Sequence, residues 1–290
     1  MKIIPLEGSN LERGIRFITR LNRKPEHKIS YFGETQDEIA ADLKTCQPPD
    51  GYGFIAIAAQ EELCGLFGVE SDKELGRCWL LGPFVYHQDW EVVAERLYDA
   101  ILESLPGEIT NQELYFPEEN TRVKNFALQH DFEFYSAGAV LTLTAGREVN
   151  IPESGNQSLD EEYIDQFIAL HDAVFPNTYY SAKQLLEMAE DEDKCLLVHQ
   201  VDERIAGYTF IQAREAAREG YIDFIGVDES FRHRGIGRQL AASGINWALQ
   251  FPFVEKISLT VKPDNVPAMR MYHSLGFKTE TVASAYRKNM

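Results

Sequence analysis

Hydrophobic and polar positions along the chain follow two patterns, one typical of strands and the other of amphipathic helices. In the first half, the patterns predict the order β, α, α, β, β, β, α, β, α, β, β. These elements lie at residues 2–7, 10–24, 35–46, 53–60, 63–70, 77–86, 89–105, 113–116, 120–130, 132–136 and 140–144. Short strands between amphipathic helices indicate an α/β domain.

The second half of the chain repeats this order. Its predicted elements are helices at 159–175 and 181–190, strands at 194–200, 205–214 and 221–227, a helix to about 250, a strand to 261, a helix from 265 and terminal strands. Between the halves, residues 144–159 are polar and contain glycine, proline and serine, which is typical of a linker. We therefore predict two domains, at 1–146 and 147–290.

Residues 221–240 combine a strand, a basic turn with two glycines and a helix. The strand YIDFIGV ends at Val227, and the turn RHRGIG at 232–237 leads into the helix. Glycine lets a backbone approach a ligand closely, and the first N–H groups of a helix have no partner inside it. The helix dipole favours an anion there, and the arginines of the turn add positive charge. The stretch therefore predicts a site for a phosphorylated ligand.

The spacing of the glycines excludes two common phosphate-binding motifs. No Lys-Ser or Lys-Thr pair follows them, as a P-loop requires. The third glycine of a dinucleotide fingerprint is also missing, because Leu240 stands there. The pattern that remains is R-x-x-G-x-G after a strand, and an ordinary strand-to-helix turn is the alternative interpretation.

A second motif follows the basic turn about thirty residues later. The pattern N-x-x-A-x-x-x-Y-x-x-x-G-F is matched at Asn265, Ala268, Tyr272, Gly276 and Phe277. With both motifs in this order, the sequence resembles the GNAT family of acyl-CoA-dependent N-acetyltransferases. The resemblance implies an α+β fold in each half, with a mixed, mostly antiparallel twisted sheet flanked by helices.

The resemblance also implies acetyl-CoA as co-substrate, without a metal. Its pyrophosphate would meet the turn and the first amides of the helix. Its pantetheine arm would lie between two central strands that splay, and the Val227 N–H would bind the thioester oxygen. The residues implied are Ile225, Val227, Arg232, Arg234, Gly235, Ile236, Gly237, Arg238, Gln239 and Asn265. Asn265 has a second interpretation as a helix cap.

Two residues are candidates for proton transfer. A phenol is protonated at neutral pH, so Tyr272 is the predicted acid for the departing thiolate; a buried core tyrosine is the alternative. Asp223 is the acid within the strand, and alternation puts Tyr221, Asp223 and Ile225 on one face. Asp223 is predicted to relay the proton of the amine or to hold an ammonium group, with a solvated carboxylate or a local ion pair as the alternative.

The acceptor is expected to contact the connection between the two helices at 159–190. Tyr179 and Tyr180 stand there, and we predict that they bind the acceptor together with Tyr221, or that they form a lid. The predicted function is acetyl transfer by direct attack of a primary amine of a small molecule or peptide. A non-catalytic acyl-CoA-binding module is the alternative.

The first half resembles a degenerate copy of the same domain. Ala127 stands where Tyr272 stands, and no glycine occurs between Gly82 and Gly107. Trp90 and acidic residues crowd the corresponding helix start, which disfavours a pyrophosphate. We predict a non-catalytic first domain; an unrelated α/β domain is the alternative.

Composition bounds the partners. The net charge of −18 argues against nucleic acid and anionic membranes and permits an amine acceptor. The cysteines Cys46, Cys64, Cys78 and Cys195 are scattered, which indicates reduced thiols in a cytoplasmic protein. The histidines are also scattered, so no metal site is predicted, and His171 and His233 are expected at the surface. A monomer or a homodimer is expected.

Overall fold

The computed structural model describes residues 2–45, 53–59, 62–144, 156–176 and 178–290. It divides the chain into two compact units. Unit 1 comprises Met1–Gly138 together with Thr281–Met290, and unit 2 comprises Ala139–Glu280. Among the described helices, none combines the length and the apolar character that crossing a membrane would require.

The first half of the chain forms the predicted alternation of strands and helices. Its elements are β1 (Lys2–Pro5), α1 (Ser9–Asn22), α2 (Gln36–Thr45), β2 (Phe54–Ala59), β3 (Glu62–Asp72), β4 (Arg77–Val85), α3 (Trp90–Ser104), β5 (Asn111–Pro117), α4 (Thr121–Gln129) and β6 (Glu133–Thr144). The predicted closing pair of strands is one continuous strand, β6. A reciprocal pair of bonds fixes the start of α2, because Thr35 and Glu38 each accept the other's backbone N–H.

The second half repeats the order of elements. They are β7 (Asn156–Ser158), α5 (Ile164–Val174), α6 (Ala182–Met188), β8 (Lys194–Val201), β9 (Arg204–Arg214), β10 (Glu219–Val227), α7 (Ile236–Ala248), β11 (Lys256–Val261), α8 (Val266–Ser274) and β12 (Lys278–Asn289). Strand β7 was not predicted, because its three residues, Asn-Gln-Ser, are polar. Mixed sheets with flanking helices confirm the predicted fold class.

The strands of unit 1 follow the order β1-β2-β3-β4-β5-β12, and those of unit 2 the order β6-β11-β10-β9-β8-β7. Neighbours are antiparallel except at β4–β5 and β10–β11, which are parallel. Residues 283–289 of β12 pair with β5, and residues 139–144 of β6 pair with β11. Each unit thus includes a strand segment from the opposite half of the sequence.

This exchange of strands bears on the predicted domain limits. The predicted boundary between residues 146 and 147 lies outside the described residues. The structure divides the units within β6, between Gly138 and Ala139, and assigns residues 281–290 to unit 1. Strand pairing between residues distant in sequence sets this division, and linker composition carries no information about it.

Unit 2 packs helices on both faces of its sheet. On one face, α7 covers Ile211, Ile222 and Ile257. On the other face, α5 and α6 cover Tyr208, Phe210 and Phe224. These two apolar layers hold β10 between them, and β10 positions the candidate site.

Candidate active site

Strands β10 and β11 part near the middle of the unit 2 sheet. Their parallel pairing ends at Ile222 and Leu259, although β10 continues to Val227. Strand β11 stays paired with β6 as far as Val261 and Ala139. An opening therefore lies beside the second half of β10, where the backbone has no neighbour from β11.

The pairing of β10 with β9 determines which backbone groups face this opening. The Asp228 N–H donates to the Ala206 carbonyl at 2.9 Å, which makes this a hydrogen-bonded pair. Because such pairs alternate along an antiparallel ladder, Val227 opposite Gly207 occupies a non-hydrogen-bonded position. The N–H of Val227 therefore points away from β9 and toward the opening, as does that of Ile225.

A β-bulge at Asp223 corrects the predicted alternation. Ile222 lies opposite Ile211, and Phe224 lies opposite Phe210, so Asp223 is an extra residue in β10. Beyond the bulge, the side chains change face. Ile225 consequently lies on the α7 face, and the prediction that it shares a face with Tyr221 and Asp223 is wrong.

The turn after β10 begins α7 with an exposed backbone. Gly235 is the N-cap residue with φ of 81°, a left-handed conformation that a residue with a Cβ adopts at a cost. A Cβ at Gly235 would meet nothing within 4 Å. At Gly237 it would meet the Met271 Sδ at 3.4 Å and the Val227 Cγ2 at 3.6 Å, which are ordinary contacts. The backbone here is open on the side away from the core.

The backbone amides at the start of α7 are available to bind a phosphate, with the exception of the Gln239 amide, which was predicted to do so. The first N–H groups of an α-helix have no intrahelical acceptor, which leaves those of Ile236, Gly237 and Arg238. The Gln239 N–H instead donates to the Gly235 carbonyl at 3.1 Å. This corrects the prediction for the Gln239 amide. The Ile236 side chain is buried, so Ile236 offers only its backbone.

The arginines of the turn contact its own backbone and an aromatic ring. The Arg232 Nε donates to the Val227 carbonyl at 3.4 Å. The Arg234 Nη2 donates to the Ser230 carbonyl at 3.1 Å, and its guanidinium lies 5.1 Å from the Phe231 ring centroid. Both cations are thus held beside the end of β10 and the start of α7.

Helix α8 brings Tyr272 into the same unit. Asn265 caps the helix, because its side chain accepts the Ala268 N–H at 3.3 Å. Tyr272 is 7 % exposed and packs edge-on against Phe277, with ring centroids 5.6 Å apart. Burial raises the pKa of Tyr272, so its phenol is protonated at neutral pH. Its packing alone would also suit a core tyrosine.

Asp223 is buried rather than solvated, so the interpretation as a solvated carboxylate is wrong. Its side chain is 2 % exposed, and the Gln212 Nε2 donates to its Oδ2 at 2.8 Å. The Tyr179 hydroxyl donates to its Oδ1 at 3.3 Å, and the Arg214 Nη2 lies 3.8 Å from the same oxygen. Loss of hydration raises the pKa of Asp223, although Arg214 and the hydrogen bonds oppose this.

The three tyrosines predicted to bind the acceptor occupy different surroundings. Tyr179 stacks on Phe224 with ring centroids 5.0 Å apart and is 49 % exposed. Tyr180 lies next to it, edge-on, with ring centroids 4.9 Å apart. The Tyr221 hydroxyl is 3.1 Å from the Thr260 Oγ1, and the Arg214 guanidinium lies 4.0 Å from its ring centroid. Tyr179 and Tyr221 therefore both border Asp223 and Arg214.

Sequence reasoning missed Gln212 and Arg214. They face Asp223 because Gln212 lies opposite Tyr221 and Arg214 opposite Glu219 in the β9–β10 register. A polar residue within an apolar strand was the available signal, but using it requires the register. The surroundings of Asp223 thus depend on the β9–β10 register, which local sequence patterns do not predict.

The two histidines differ in exposure. His171 was expected at the surface and is 1 % exposed, so this prediction is wrong. Its Nε2–H donates to the Tyr180 carbonyl at 2.9 Å, and its Nδ1 accepts from the Tyr208 hydroxyl at 2.6 Å. Burial lowers the pKa of His171, which keeps the ring neutral in this arrangement. His233 is exposed, as expected.

Comparison with known proteins places these features in a family. The model of the acetyltransferase (GNAT) family matches residues 156–277. The SPbeta prophage-derived uncharacterized N-acetyltransferase YokL of Bacillus subtilis is 30 % identical over 154 residues, which cover 50 % of this chain and 80 % of YokL. The chain belongs to the GNAT family and is an acyltransferase.

Solved structures extend the likeness over both units. A GCN5-related N-acetyltransferase from Sphaerobacter thermophilus superposes with a TM-score of 0.74 at 17 % identity, over 96 % of this chain and 91 % of that one. A tandem GNAT protein from the clavulanic acid biosynthesis pathway superposes with a TM-score of 0.69 at 12 % identity, over 99 % and 98 %. At these identities the likeness shows the fold, and it confirms the predicted tandem arrangement.

Proposed function

We propose that unit 2 transfers an acetyl group from acetyl-CoA to a primary amine of a small molecule or peptide. GNAT enzymes transfer acyl groups to amines, and the choice of acetyl-CoA and of this acceptor class is our inference. The observation that carries it is the opening beside β10, which leads to a glycine turn whose first helix amides have no acceptor within the described parts of the chain. A thioester with a pyrophosphate at its far end matches both features.

The backbone of unit 2 supplies the proposed contacts to acetyl-CoA. The amides of Ile236, Gly237 and Arg238 face the pyrophosphate, and the dipole of α7 favours its charge. Arg232 and Arg234 add positive charge beside these amides. The pantetheine arm lies along β10 in the opening, where the Val227 N–H donates to the thioester oxygen as negative charge develops there.

Two side chains complete the proposed reaction. The amine nitrogen attacks the carbonyl carbon, the C–N bond forms, and the C–S bond breaks. Tyr272, which burial keeps protonated at neutral pH, donates its proton to the departing thiolate and is left as a tyrosinate that takes a proton back from solvent. Asp223 takes the proton that the amine loses. Its raised pKa makes it a stronger base than an ordinary carboxylate.

Unit 1 has no proposed chemical role. Ala127 takes the position of Tyr272, and an acidic residue, Glu91, lies in the first turn of α3. The alternative of a non-catalytic acyl-CoA-binding module is not favoured, because the chain belongs to a family of acyltransferases and because binding alone requires neither the phenol of Tyr272 nor the carboxylate of Asp223.

The test is an acetyl-transfer assay with a panel of amines. The panel contains amino acids, polyamines, amino sugars and short peptides with a free N-terminus, each incubated with the protein and acetyl-CoA. Release of CoA together with an acetylated product by mass spectrometry is the expected result. Acetyl-CoA binding without transfer to any member of so broad a panel would favour the binding module.

A further inference from the structure

Asp223 cannot receive a proton directly from an acceptor in the observed arrangement. Its side chain is 2 % exposed, so an acceptor amine at the surface does not reach the carboxylate without passing its neighbours. Gln212 donates to Oδ2, and Tyr179 donates to Oδ1. An amine that approaches β10 from the surface therefore meets the groups around Asp223 before it meets the carboxylate.

Tyr179 is the outermost of these groups. The residue is 49 % exposed, and its hydroxyl lies 3.3 Å from the Asp223 Oδ1 and 3.4 Å from the Asp223 carbonyl oxygen. The stacking on Phe224, with planes inclined by 26°, holds the ring over the bulge. The hydroxyl thus lies between the buried carboxylate and the surface.

We propose that the Tyr179 hydroxyl relays the proton of the acceptor amine to Asp223. The proposal rests on the proposed acetyl transfer. As the C–N bond forms, the nitrogen gives its proton to the Tyr179 oxygen, and the Tyr179 O–H gives its own proton to the Asp223 Oδ1. Tyr179 ends the step as a neutral phenol and Asp223 as a neutral acid. Tyr179 is then the residue that touches the acceptor, and Asp223 is the proton acceptor behind it.

The charges around the pair favour a concerted transfer. Loss of hydration raises the pKa of Tyr179, and the Asp223 carboxylate raises it further, so a free tyrosinate is disfavoured. Both protons therefore move together. Among the residues that the structure describes, the other titratable or charged groups facing Asp223 are Arg214, 3.8 Å away, and on β10 itself Tyr221 and Glu219.

The relay is distinguishable from a structural role of Tyr179. If Tyr179 only covers the site as a lid, the ring suffices and Tyr179→Phe keeps its function. If the hydroxyl carries the proton, Tyr179→Phe loses about 10²–10⁴-fold in kcat, the range for an acid–base group. Acetyl-CoA affinity is expected to stay unchanged in both cases, because Tyr179 is not one of the proposed pyrophosphate contacts.

The decisive experiment is a double-mutant cycle with Tyr179→Phe, Asp223→Asn and the double variant. Groups that act in series give a double variant about as slow as the slower single variant. Groups that act independently give multiplied losses. Tyr163→Phe, which removes another tyrosine hydroxyl of the same unit, is the matched control and keeps full activity. Melting temperature and acetyl-CoA affinity confirm that each variant is folded.

A pH profile provides a second readout. Asp223 accepts a proton only when ionised, so kcat/KM of the wild type falls as the pH drops through the pKa of Asp223, which lies above the usual range. In Tyr179→Phe the reaction no longer uses Asp223, so the remaining activity no longer shows this fall of kcat/KM at low pH. A near-normal rate or an unchanged fall at low pH in Tyr179→Phe overturns the relay. Loss of rate in Asp223→Asn alone would then leave Asp223 as a direct base, whereas a wild type without any transfer refutes the proposed function itself.

Discussion

The helices that follow β4 in unit 1 and β10 in unit 2 begin in different ways. In unit 1, β4 ends at Val85 and α3 starts at Trp90, with Asp89 as the N-cap residue and an acidic residue in the first turn. In unit 2, the corresponding connection, from Val227 to Ile236, is longer and ends on Gly235. The first turn of α7 contains no acidic residue. The electrostatic preference for an anion is therefore retained in unit 2 and opposed in unit 1.

The side chains at the two helix starts also favour an anion site only in unit 2. Trp90 is 5 % exposed and packs edge-on against Phe126 of α4, with ring centroids 6.3 Å apart. In unit 2, Gly237 lies beside Met271 of α8 and leaves the helix start open. In both units the two parallel strands diverge. The β4–β5 pairing ends at Trp79 and Glu113, as the β10–β11 pairing ends before the end of β10. Both units therefore have diverging parallel strands, but the residues at the helix start fill this region with core side chains in unit 1 and leave it open in unit 2, where we propose the acetyl-CoA site.

The largest expected effect is the loss of acetyl-CoA binding in Gly237→Glu. The wild type should bind one acetyl-CoA per chain, in unit 2. A carboxylate beside the pyrophosphate costs several kcal/mol, so affinity falls by at least about 100-fold and calorimetry detects no site. The control Gly237→Ala binds normally, because its Cβ makes only ordinary contacts. Two equivalent sites in the wild type would contradict the comparison between the units.

The next effect concerns Tyr272, which has Ala127 as its counterpart. Tyr272→Phe keeps the packing on Phe277 but removes the acid, so kcat should fall by about 10²–10⁴-fold. Acetyl-CoA affinity and melting temperature change little, because the hydroxyl has no hydrogen-bond partner among the described residues. Turnover, including its pre-steady-state phase, and melting are measured on one preparation. A normal rate with altered melting would leave Tyr272 as a core residue.

Trp90→Ala tests whether the helix start of unit 1 is part of its core. Truncating a buried tryptophan lowers the free energy of unfolding by about 3–5 kcal/mol. Denaturant titration measures this loss. Acetyl-CoA affinity at low temperature, where the variant is folded, should equal that of the wild type. A weaker affinity in this variant would mean that unit 1 takes part in acetyl-CoA binding.

The smallest effect is expected at Gly235. An alanine there pays about 1–2 kcal/mol for the left-handed backbone, although its Cβ meets no atom within 4 Å. Gly107→Ala in unit 1 is the matched control, because its Cβ also meets open space and its backbone has no left-handed strain. Thermal melting should separate the two variants. Equal stability would show that the turn relaxes without cost.

Much of the fold follows from local patterns. Periodicity located most strands and helices, and Thr35 with Glu38 marked a helix start that the structure confirms. The glycine turn and the α8 motif were found because their residues are close in sequence. Asn265 caps its helix as one interpretation required.

The remainder depends on pairing between distant residues. The bulge at Asp223 exists only relative to β9, so alternation alone misplaced Ile225. Gln212 reaches Asp223 across the same register. The burial of His171 depends on partners 9 and 37 residues away, Tyr180 and Tyr208. Such positions are set by tertiary packing, and a single sequence carries no local signal for them.

The exchange of strands has a consequence for biosynthesis. Unit 1 acquires the β12 segment through contacts such as the 2.8 Å bond from the Arg287 Nη2 to the Glu113 Oε2, across 174 residues of chain. The chain emerges from the ribosome with its N-terminus first, so β5 emerges long before its partner strand β12 is synthesised. Unit 1 therefore waits with one strand edge unpaired while unit 2 is synthesised, and an unpaired edge invites wrong partners. Translation speed and chaperones act in that interval, so both are expected to affect the yield of this protein in addition to the stability of its finished sheets.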